Sequence, residues 1–332
     1  METRTLGDTG FDVTTVGLGT WNVGSSWGET GDEEFREAVR TALDAGVNVI
    51  DTAEGYGSGR AERLIGEVLE EYDPGRRIYV PTKATPEWDD GGGHSYEGLA
   101  ESVAGSQARL GVDTVDLVQL HCPATDAFYD PEAFRALERL REEGEIEHAG
   151  VSVELVEEAL KAIEYDVVES VQIIFNPFRQ RPNELFFREA QRRDVGVIVR
   201  VPLASALLAD VFDRDVDFES GDHRGRAAEG GVDAGVGTKG GETFAGVPYE
   251  AGLDAVDALR PHVPEEMTMA QFSLRWILDH DAVTTVIPGS TTPRHVRENV
   301  VAGDLDPLSH RHHGIVRDVY EEHVYEHVHH RW

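Results

Sequence analysis

Eight short apolar segments alternate with helical patterns along this chain, and they limit its possible folds more than any other feature. The segments are rich in Val and Ile and are mostly apolar runs rather than alternations of apolar and polar residues, which is typical of parallel strands buried on both faces. They span residues 16–21, 47–52, 78–83, 115–121, 148–153, 168–176, 195–202 and 284–288. Amphipathic stretches such as 33–43 and 62–72 predict the intervening helices. Eight strand–helix units predict an α/β fold, the (β/α)8 TIM barrel.

The same alternation shows no domain boundary, so we expect a single domain over residues 1–332. A doubly wound sheet is the alternative, but GLGTW at 17–21 lacks the G-x-G-x-x-G pattern typical of its first turn. Residues 3–15 predict an N-terminal hairpin, and residues 304–332 form a C-terminal extension. Residues 205–248, after the seventh strand, are acidic and then Gly-rich, so we expect no packed element there. Two interpretations stay open for them: a mobile lid over the catalytic face, or a charged surface loop.

The charge of the chain excludes several classes of partner. Its 332 residues include 63 Asp and Glu against 30 Lys and Arg, which gives a formal net charge of −33. Such a surface repels nucleic acids and anionic membranes. No apolar run approaches the roughly 18 residues that a membrane span needs. The first residues contain no apolar run either, so we expect no secretory signal and a cytoplasmic location.

The basic residues are almost all arginine, since only Lys83, Lys161 and Lys239 are lysines. An acidic, Lys-poor composition is typical of cytoplasmic proteins from salt-accumulating organisms, so we expect a halophilic protein. An ordinary acidic protein that stays soluble through its charge is the alternative.

Four residues of different chemistry stand at the ends of three consecutive predicted strands, where barrels place their active sites. Asp51 and Tyr56 follow the second strand, Lys83 ends the third and His121 ends the fourth. A lysine at the end of a buried strand needs a compensating partner. Asp51, on the neighbouring strand, is the candidate for that partner.

Together these four residues predict acid catalysis on a carbonyl group. A tyrosine has a pKa of about 10 and is a poor acid at neutral pH, but a neighbouring ammonium such as Lys83 lowers that pKa. His121 would orient a carbonyl or relay a proton, and Tyr56 would protonate the carbonyl oxygen as hydride reaches the carbon. Because no side chain supplies hydride, the pattern implies a nicotinamide cofactor.

Motifs spread from about residue 4 to residue 299 resemble those of the aldo-keto reductase superfamily. They are GLGTW at 17–21, DTAEGYG at 51–57, PTK at 81–83, LH at 120–121, GVS at 150–152, VQIIFNPF at 171–178, VPL at 201–203 and VIPGSTTPRHVREN at 286–299. The resemblance implies that Asp51, Tyr56, Lys83 and His121 form a catalytic tetrad. It also implies a cofactor bound in extended form over the strand ends, without a Rossmann domain.

The resemblance further implies which residues contact the cofactor. They are Thr20, Trp21 and Asp51 at the nicotinamide ribose, Ser152 and Gln172 at the carboxamide, Val201, Pro202 and Leu203 along the pyrophosphate, and Ser290, Arg294, Glu298 and Asn299 at the adenosine end. Arg200 stands where many members carry an aromatic residue under the nicotinamide. Gly289 and His295 stand where some members bind a 2′-phosphate, and Arg294 and Arg297 can replace that function. We therefore expect NADP(H), with NAD(H) as the alternative.

Aromatic residues in the loops at the predicted barrel mouth are candidates for substrate contact, namely Trp21, Trp27, Trp88, Phe128 and Tyr129. Such a lining suits a sugar or an apolar aldehyde equally. We expect no metal site. Cys122, the only cysteine, is interpreted as a packing residue, and His323, His327, His329 and His330 as a surface helix end.

These observations favour an NAD(P)H-dependent oxidoreductase that reduces an aldehyde or ketone, or oxidises a sugar or alcohol. One alternative is a non-catalytic, nucleotide-sensing subunit of the same fold, which the intact tetrad disfavours. Another is a metal-dependent hydrolase or isomerase that uses Asp51 and His121, which the lack of a third ligand at a neighbouring strand end disfavours. The sequence leaves the substrate and the oligomeric state open.

Overall fold

An antiparallel hairpin of β1 (Thr3–Thr5) and β2 (Asp12–Thr14) precedes the barrel. The structure is a computed structural model, and it describes residues 1–23, 31–72, 75–85, 95–218, 221–229 and 241–332. The hairpin connection includes Gly10, whose φ of 71° lies in the left-handed region that glycine adopts most readily. The hairpin predicted over residues 3–15 is confirmed.

Within the described residues, eight parallel strands form the barrel. They are β3 (Leu18–Gly19), β4 (Ile50–Asp51), β5 (Pro81–Ala84), β6 (Val115–His121), β7 (Ile146–Ser152), β8 (Ser170–Ile174), β9 (Gly196–Arg200) and β10 (Thr285–Val286). Strands β5 to β10 pair in sequence order, and β3 pairs with β4. Bridges from Val49 to Tyr79 and from Gly19 to Gly289 join that pair to its two neighbours and close the barrel. The predicted α/β barrel is confirmed, and the closed sequential order excludes the doubly wound alternative.

The hairpin covers the end of the barrel at which the strands begin. Leu6, Phe11 and Val13 are buried against the barrel interior. Gly7 lies so close to the start of β9 that a Cβ there would overlap the backbone of Gly196. The barrel is therefore closed at this end, and access is from the end where the strands finish.

Helices connect the strands and cover the outside of the barrel. Those of the described residues are α1 (Asp32–Asp44), α2 (Arg60–Glu71), α3 (Tyr96–Leu110), α4 (Pro131–Glu142), α5 (Val156–Ala162), α6 (Phe186–Arg192), α7 (His223–Ala228), α8 (Tyr249–Leu259), α9 (Met269–Leu278), α10 (Pro293–Val300), α11 (His310–Val319) and α12 (Tyr325–Val328). Their buried residues follow helical spacing, as Phe35, Val39 and Ala42 do in α1. Among these helices, none is long and apolar enough to cross a membrane.

The chain after β9 packs more closely than its sequence predicts. It contains the 3-10 helices Ala204–Ala209 and Thr243–Gly246 besides α7. Phe244 is 1% exposed and packs with Tyr249 at the start of α8. The expectation that residues 205–248 hold no packed element is therefore wrong for their described part. Residues 219–220 and 230–240 lie outside that part.

The C-terminal extension reaches back to this region. Trp332 is 3% exposed, and its indole occupies the space where a Cβ of Gly241 or Gly246 would lie. The guanidinium carbon of Arg179 lies 4.2 Å from the indole centroid. Its Nη1 donates to the carbonyl oxygens of Gly241 at 3.2 Å and Ala245 at 3.0 Å. Residues 241–246, named the Glu242 segment below, are thus held between the C-terminal tryptophan and a buried arginine.

Candidate active site

A cavity of about 380 Å³ opens at the C-terminal ends of the barrel strands. The predicted site residues that line it are Thr20, Trp21, Asp51, Tyr56, His121, Ser152, Gln172, Arg200, Val201, Pro202, Leu203, Gly289 and Ser290. They come from widely separated parts of the chain, because each parallel strand delivers its last residues to the same end of the barrel. Lys83 lies beside the cavity with its side chain fully buried.

Lys83 connects the predicted catalytic residues through its ammonium group. Its Nζ donates to Asp51 Oδ1 at 2.5 Å and to the carbonyl oxygen of Thr52 at 2.8 Å. Its third hydrogen bond goes to Tyr56 Oη at 3.3 Å. The ring of His121 stands edge-on to that of Tyr56, with centroids 5.9 Å apart. The structure therefore brings all four predicted residues together.

Burial controls the protonation states of these groups. It raises the pKa of Tyr56 well above its ordinary value of 10.0, and the Asp51 carboxylate raises that pKa further. The prediction that Lys83 lowers this pKa is wrong, because Asp51 balances the ammonium charge and the loss of hydration dominates. Burial, and then the charge of Lys83, lowers the pKa of His121 well below its ordinary value of 6.5. At neutral pH the phenol is therefore protonated and the imidazole is neutral.

Ser152 and Gln172 lie side by side on paired strands at the cavity wall. The Nε2 atom of Gln172 donates to Asp51 Oδ2 at 2.7 Å and to Gln119 Oε1 at 3.0 Å. Both amide hydrogens are thus engaged, and the carbonyl oxygen remains as an acceptor. A serine hydroxyl beside an amide oxygen matches a carboxamide, which both donates and accepts. The residues present therefore fit the nicotinamide that the sequence implies.

Arg200 forms a buried ion pair that the sequence did not reveal. Its guanidinium donates to the carboxylate of Glu242 and to the carbonyl oxygen of Val153 at 3.1 Å, and it lies 3.6 Å from Cys122 Sγ. Burial lowers the pKa of Arg200, but the charge of Glu242 outweighs it and the net shift is upward. Glu242 also lines the cavity. No motif marks it, since it is a single acidic residue in a Gly-rich stretch.

At the other end of the cavity, the wall is formed by the turn that leads into α10. His295 lines the cavity there with Ser290. Arg294 is 79% exposed and donates to Glu298 Oε1 at 2.7 Å. Arg297 is also exposed, whereas Asn299 is buried. The cavity wall does not include Arg294, Arg297, Glu298 or Asn299.

The predicted substrate residues separate into three groups. Trp21 lines the cavity, and its ring lies 5.3 Å from that of His223 on α7. Phe128 is fully buried and Tyr129 is 66% exposed, and neither lines the cavity. Trp27 and Trp88 lie outside the described residues. The chain after β9 supplies wall residues that the sequence did not single out, namely Val211, Phe212 and Arg224.

A metal centre finds no support in the described part of the chain. No group of three or more His, Cys, Asp and Glu side chains is arranged there to hold an ion. Around Asp51 and His121 the neighbours are Lys83 and Tyr56, and an ammonium beside the carboxylate repels a cation.

The barrel and the residues at its open end together define a class of protein. It comprises the nicotinamide-dependent carbonyl oxidoreductases that bind their cofactor without a Rossmann domain. The sequence profile described as the Aldo/keto reductase family matches residues 15–321. The chain belongs to this family, and it is an oxidoreductase that works with NADP(H) or NAD(H).

Comparison with individual proteins agrees with this membership. The chain is 29% identical to the "NADH-specific methylglyoxal reductase" of Escherichia coli over 91% of its length and 93% of the relative's. Among solved structures it is similar to the aldo-keto reductase AKR11C1 from Bacillus halodurans in its holo form, with a TM-score of 0.76, 26% identity and 99% coverage of both chains. It is also similar to the glycerol dehydrogenase AKR11B4 from Gluconobacter oxydans, with a TM-score of 0.75, 25% identity and coverage of 97% and 96%.

Proposed function

We propose that this oxidoreductase reduces an aldehyde or ketone, or oxidises a sugar or alcohol in the reverse direction, with Tyr56 as the proton donor. The observation that supports this role is the complete use of the Lys83 ammonium. Its three hydrogens go to Asp51, Thr52 and Tyr56. Since Tyr56 Oη accepts from Lys83, the phenol's own hydrogen is left to point towards the cavity that Tyr56 lines.

The remaining residues of the site have supporting roles in this proposal. A bound nicotinamide supplies the hydride that no side chain provides. Ser152 and Gln172 hold its carboxamide, and Asp51 keeps Lys83 in position. As the carbonyl oxygen gains negative charge, it takes the proton of Tyr56, and the Lys83 ammonium stabilises the phenolate that remains. His121, which is neutral, orients the carbonyl oxygen.

For the cofactor we propose NADP(H), with Arg294 and Arg297 as partners of the 2′-phosphate. Both are exposed cations on α10, and Arg294 exchanges its half-buried partner Glu298 for the phosphate. Thr20, Trp21, Val201, Pro202, Leu203, Gly289 and Ser290 follow the cofactor along the cavity wall. Trp21 also contacts the substrate.

We also propose that the protein is halophilic and cytoplasmic, and that residues 1–332 form one domain. The net charge of −33 and the scarcity of lysine support the first proposal. The N-terminal hairpin and the C-terminal extension both pack on the barrel, which supports the last.

Replacement of Tyr56 by Phe tests the catalytic role. We expect Tyr56→Phe to lower kcat for carbonyl reduction by about 10²–10⁴-fold, because loss of a positioned general acid costs this much. Cofactor binding, followed by fluorescence titration, should persist. Tyr129→Phe is the matched control, since Tyr129 is exposed and away from the cavity. Near-normal turnover by Tyr56→Phe would exclude Tyr56 as the donor, and no turnover of any carbonyl by the wild type would exclude the function.

A further inference from the structure

His121 has two ring nitrogens, and the structure occupies only one of them. Thr85 Oγ1 lies 3.0 Å from His121 Nδ1, which is hydrogen-bonding distance. Among the described residues Nε2 has no hydrogen-bond partner, and His121 lines the cavity. Nε2 is therefore the nitrogen available to a bound carbonyl. Whether it donates or accepts depends on which nitrogen carries the single proton of the neutral ring.

Two arrangements are compatible with a hydroxyl 3.0 Å from Nδ1. In the first, Thr85 donates to Nδ1 and the ring proton is on Nε2. In the second, Nδ1–H donates to Thr85 and Nε2 is an acceptor. Only the first gives the carbonyl oxygen a second hydrogen-bond donor besides Tyr56. In the second, the hydroxyl hydrogen of the half-buried Thr85 has only solvent as its acceptor, because His121 is the hydroxyl's only partner among the described residues. The first arrangement keeps that hydrogen in a bond within the protein.

We propose that Thr85 is a positioning residue that donates to His121 Nδ1 and thereby fixes the ring proton on Nε2. The imidazole then presents an N–H to the substrate oxygen at neutral pH without carrying a charge. This assignment rests on the proposed carbonyl reduction and adds to it a residue outside the tetrad. Without the Thr85 hydroxyl, the proton distributes over both nitrogens, and part of the protein loses its second donor.

Glu54 holds the backbone of Thr85, and Ser102 in turn holds Glu54. Its backbone N–H donates to Glu54 Oε1, on the connection between β4 and α2. Ser102 Oγ, on α3, donates to the same carboxylate oxygen at 3.0 Å. Because the position of Thr85 is set through its backbone, a change of side chain at this residue leaves the chain path intact. The hydroxyl can therefore be tested separately from the fold.

The first test reads the position of the proton directly and needs no turnover. Protein labelled with 15N at histidine is recorded by NMR at neutral pH, and the His121 signals are assigned by their loss in His121→Gln. We expect the wild type to show a protonated Nε2 and an unprotonated Nδ1. Thr85→Val should show averaged signals, and Thr85→Ser should restore the wild-type pattern. A protonated Nδ1 in the wild type would overturn the proposal, even if the enzyme is an active reductase.

The second test measures the effect on catalysis. Thr85→Val should lower kcat for carbonyl reduction by about tenfold, the equivalent of one neutral hydrogen bond. Thr85→Ser should stay within about twofold, since it keeps the hydroxyl. The cofactor dissociation constant should not change in either variant. Equal kcat losses in the two variants would contradict the role of the hydroxyl. If Thr85→Val does not fold, the wild-type NMR pattern still decides.

Discussion

Lys83 is one of three lysines in the chain, and among the residues that the structure describes it is the largest polar side chain buried in full. The scarcity of lysine in the chain and the place of Lys83 at a strand end were enough to predict a functional role for it from sequence. In the structure the positive charge of Lys83 is balanced by Asp51, whose Oδ1 lies 2.5 Å from the lysine Nζ. The pair therefore fixes the geometry of the phenol, while burial keeps the phenol protonated.

This protonation state predicts the pH dependence of the reaction. The raised pKa of Tyr56 keeps the acid form present as pH rises, and it is lost only as pH passes that raised value. The lowered pKa of His121 likewise keeps the ring neutral below its ordinary range. We expect kcat for reduction to stay level from about pH 6.5 to about pH 9. The measurement is a pH profile of kcat at saturating substrates, and a falling limb centred at about pH 8 would contradict it.

We expect cofactor choice to depend on two exposed arginines of α10, Arg294 and Arg297. Replacing Arg294 and Arg297 by Ala should weaken NADPH binding by about 1.5–3 kcal/mol for each charge-assisted hydrogen bond lost. NADH binding should hardly change, because NADH has no 2′-phosphate. Titration of both cofactors against the variant provides the measurement, with Arg311→Ala, on α11, as a control for lost charge. Equal weakening of the two cofactors, or a wild-type preference for NADH, would count against NADP(H).

At this scale the sequence predicts the chemically distinctive residues that stand at or soon after strand ends, and it misses the partners that side-chain direction and distant loops bring to them. The tetrad was predictable because strand ends in a barrel share one end. The contact between Thr85 and His121 and the one between Arg200 and Glu242 depend on side-chain direction and loop path. Neither leaves a periodic signal in the sequence.

Among the elements, the Glu242 segment departs most from its sequence. Its glycines suggested a loose loop, yet Gly241 and Gly246 have φ values of 96° and 80° and lie against the indole of Trp332. Glycine is needed at both positions for its left-handed backbone and for its missing Cβ. The barrel strands, by contrast, were predicted well because each lies in a largely apolar run that is rich in Val and Ile or is bounded by turn residues.

Loss of the Trp332 side chain should loosen this segment. We expect Trp332→Ala to lower the free energy of unfolding by about 3 kcal/mol, as large-to-small changes of buried aromatics do. Cofactor affinity should also fall, because the segment carries Glu242, which holds Arg200 at the cavity. Thermal melts and cofactor titrations check both effects.

Two variants serve as controls for this experiment. Tyr325→Ala removes an aromatic side chain that is 47% exposed from the same C-terminal region, and it should leave cofactor affinity unchanged. Trp332→Phe keeps part of the packing and should give an intermediate result. Unchanged cofactor affinity in Trp332→Ala would show that the segment does not depend on the tryptophan.

For the molecule as a whole, the dominant feature is its excess of negative charge. Arginines pair with carboxylates along α1 and α2, as Arg36 does with Glu67 and Arg60 with Asp32. Such pairs are exposed or half-exposed, so each contributes little. With a net charge of −33, most acidic groups have no cation to neutralise them. The folded state therefore stores self-repulsion.

Salt should relieve this repulsion and stabilise the fold. The Debye length is about 10 Å at 0.1 M salt and about 3 Å at 1 M, so repulsion between neighbouring carboxylates is largely removed at the higher concentration. We expect Tm and activity to rise between about 0.1 M and about 2 M KCl. The described acidic residues 210–218 should loosen first in dilute buffer, because negative charge is dense there, and the packing of Phe212 against Phe218 is what opposes this loosening. A Tm that stays flat or falls across the series would exclude the halophilic proposal and leave the reductase assignment intact.

The hairpin at the base of the barrel has a consequence for the chemistry at the opposite end. Leu6, Phe11 and Val13 exclude solvent from the base of the barrel, so in the part of the chain that the structure describes the cavity at the strand ends is the route by which water reaches the Asp51–Lys83 pair. A molecule that occupies the cavity at the open end of the barrel therefore also excludes water from the barrel interior. Ligand binding and the drop in local dielectric constant are then one event, and every charge interaction at Tyr56 gains strength at the moment when substrate is in place.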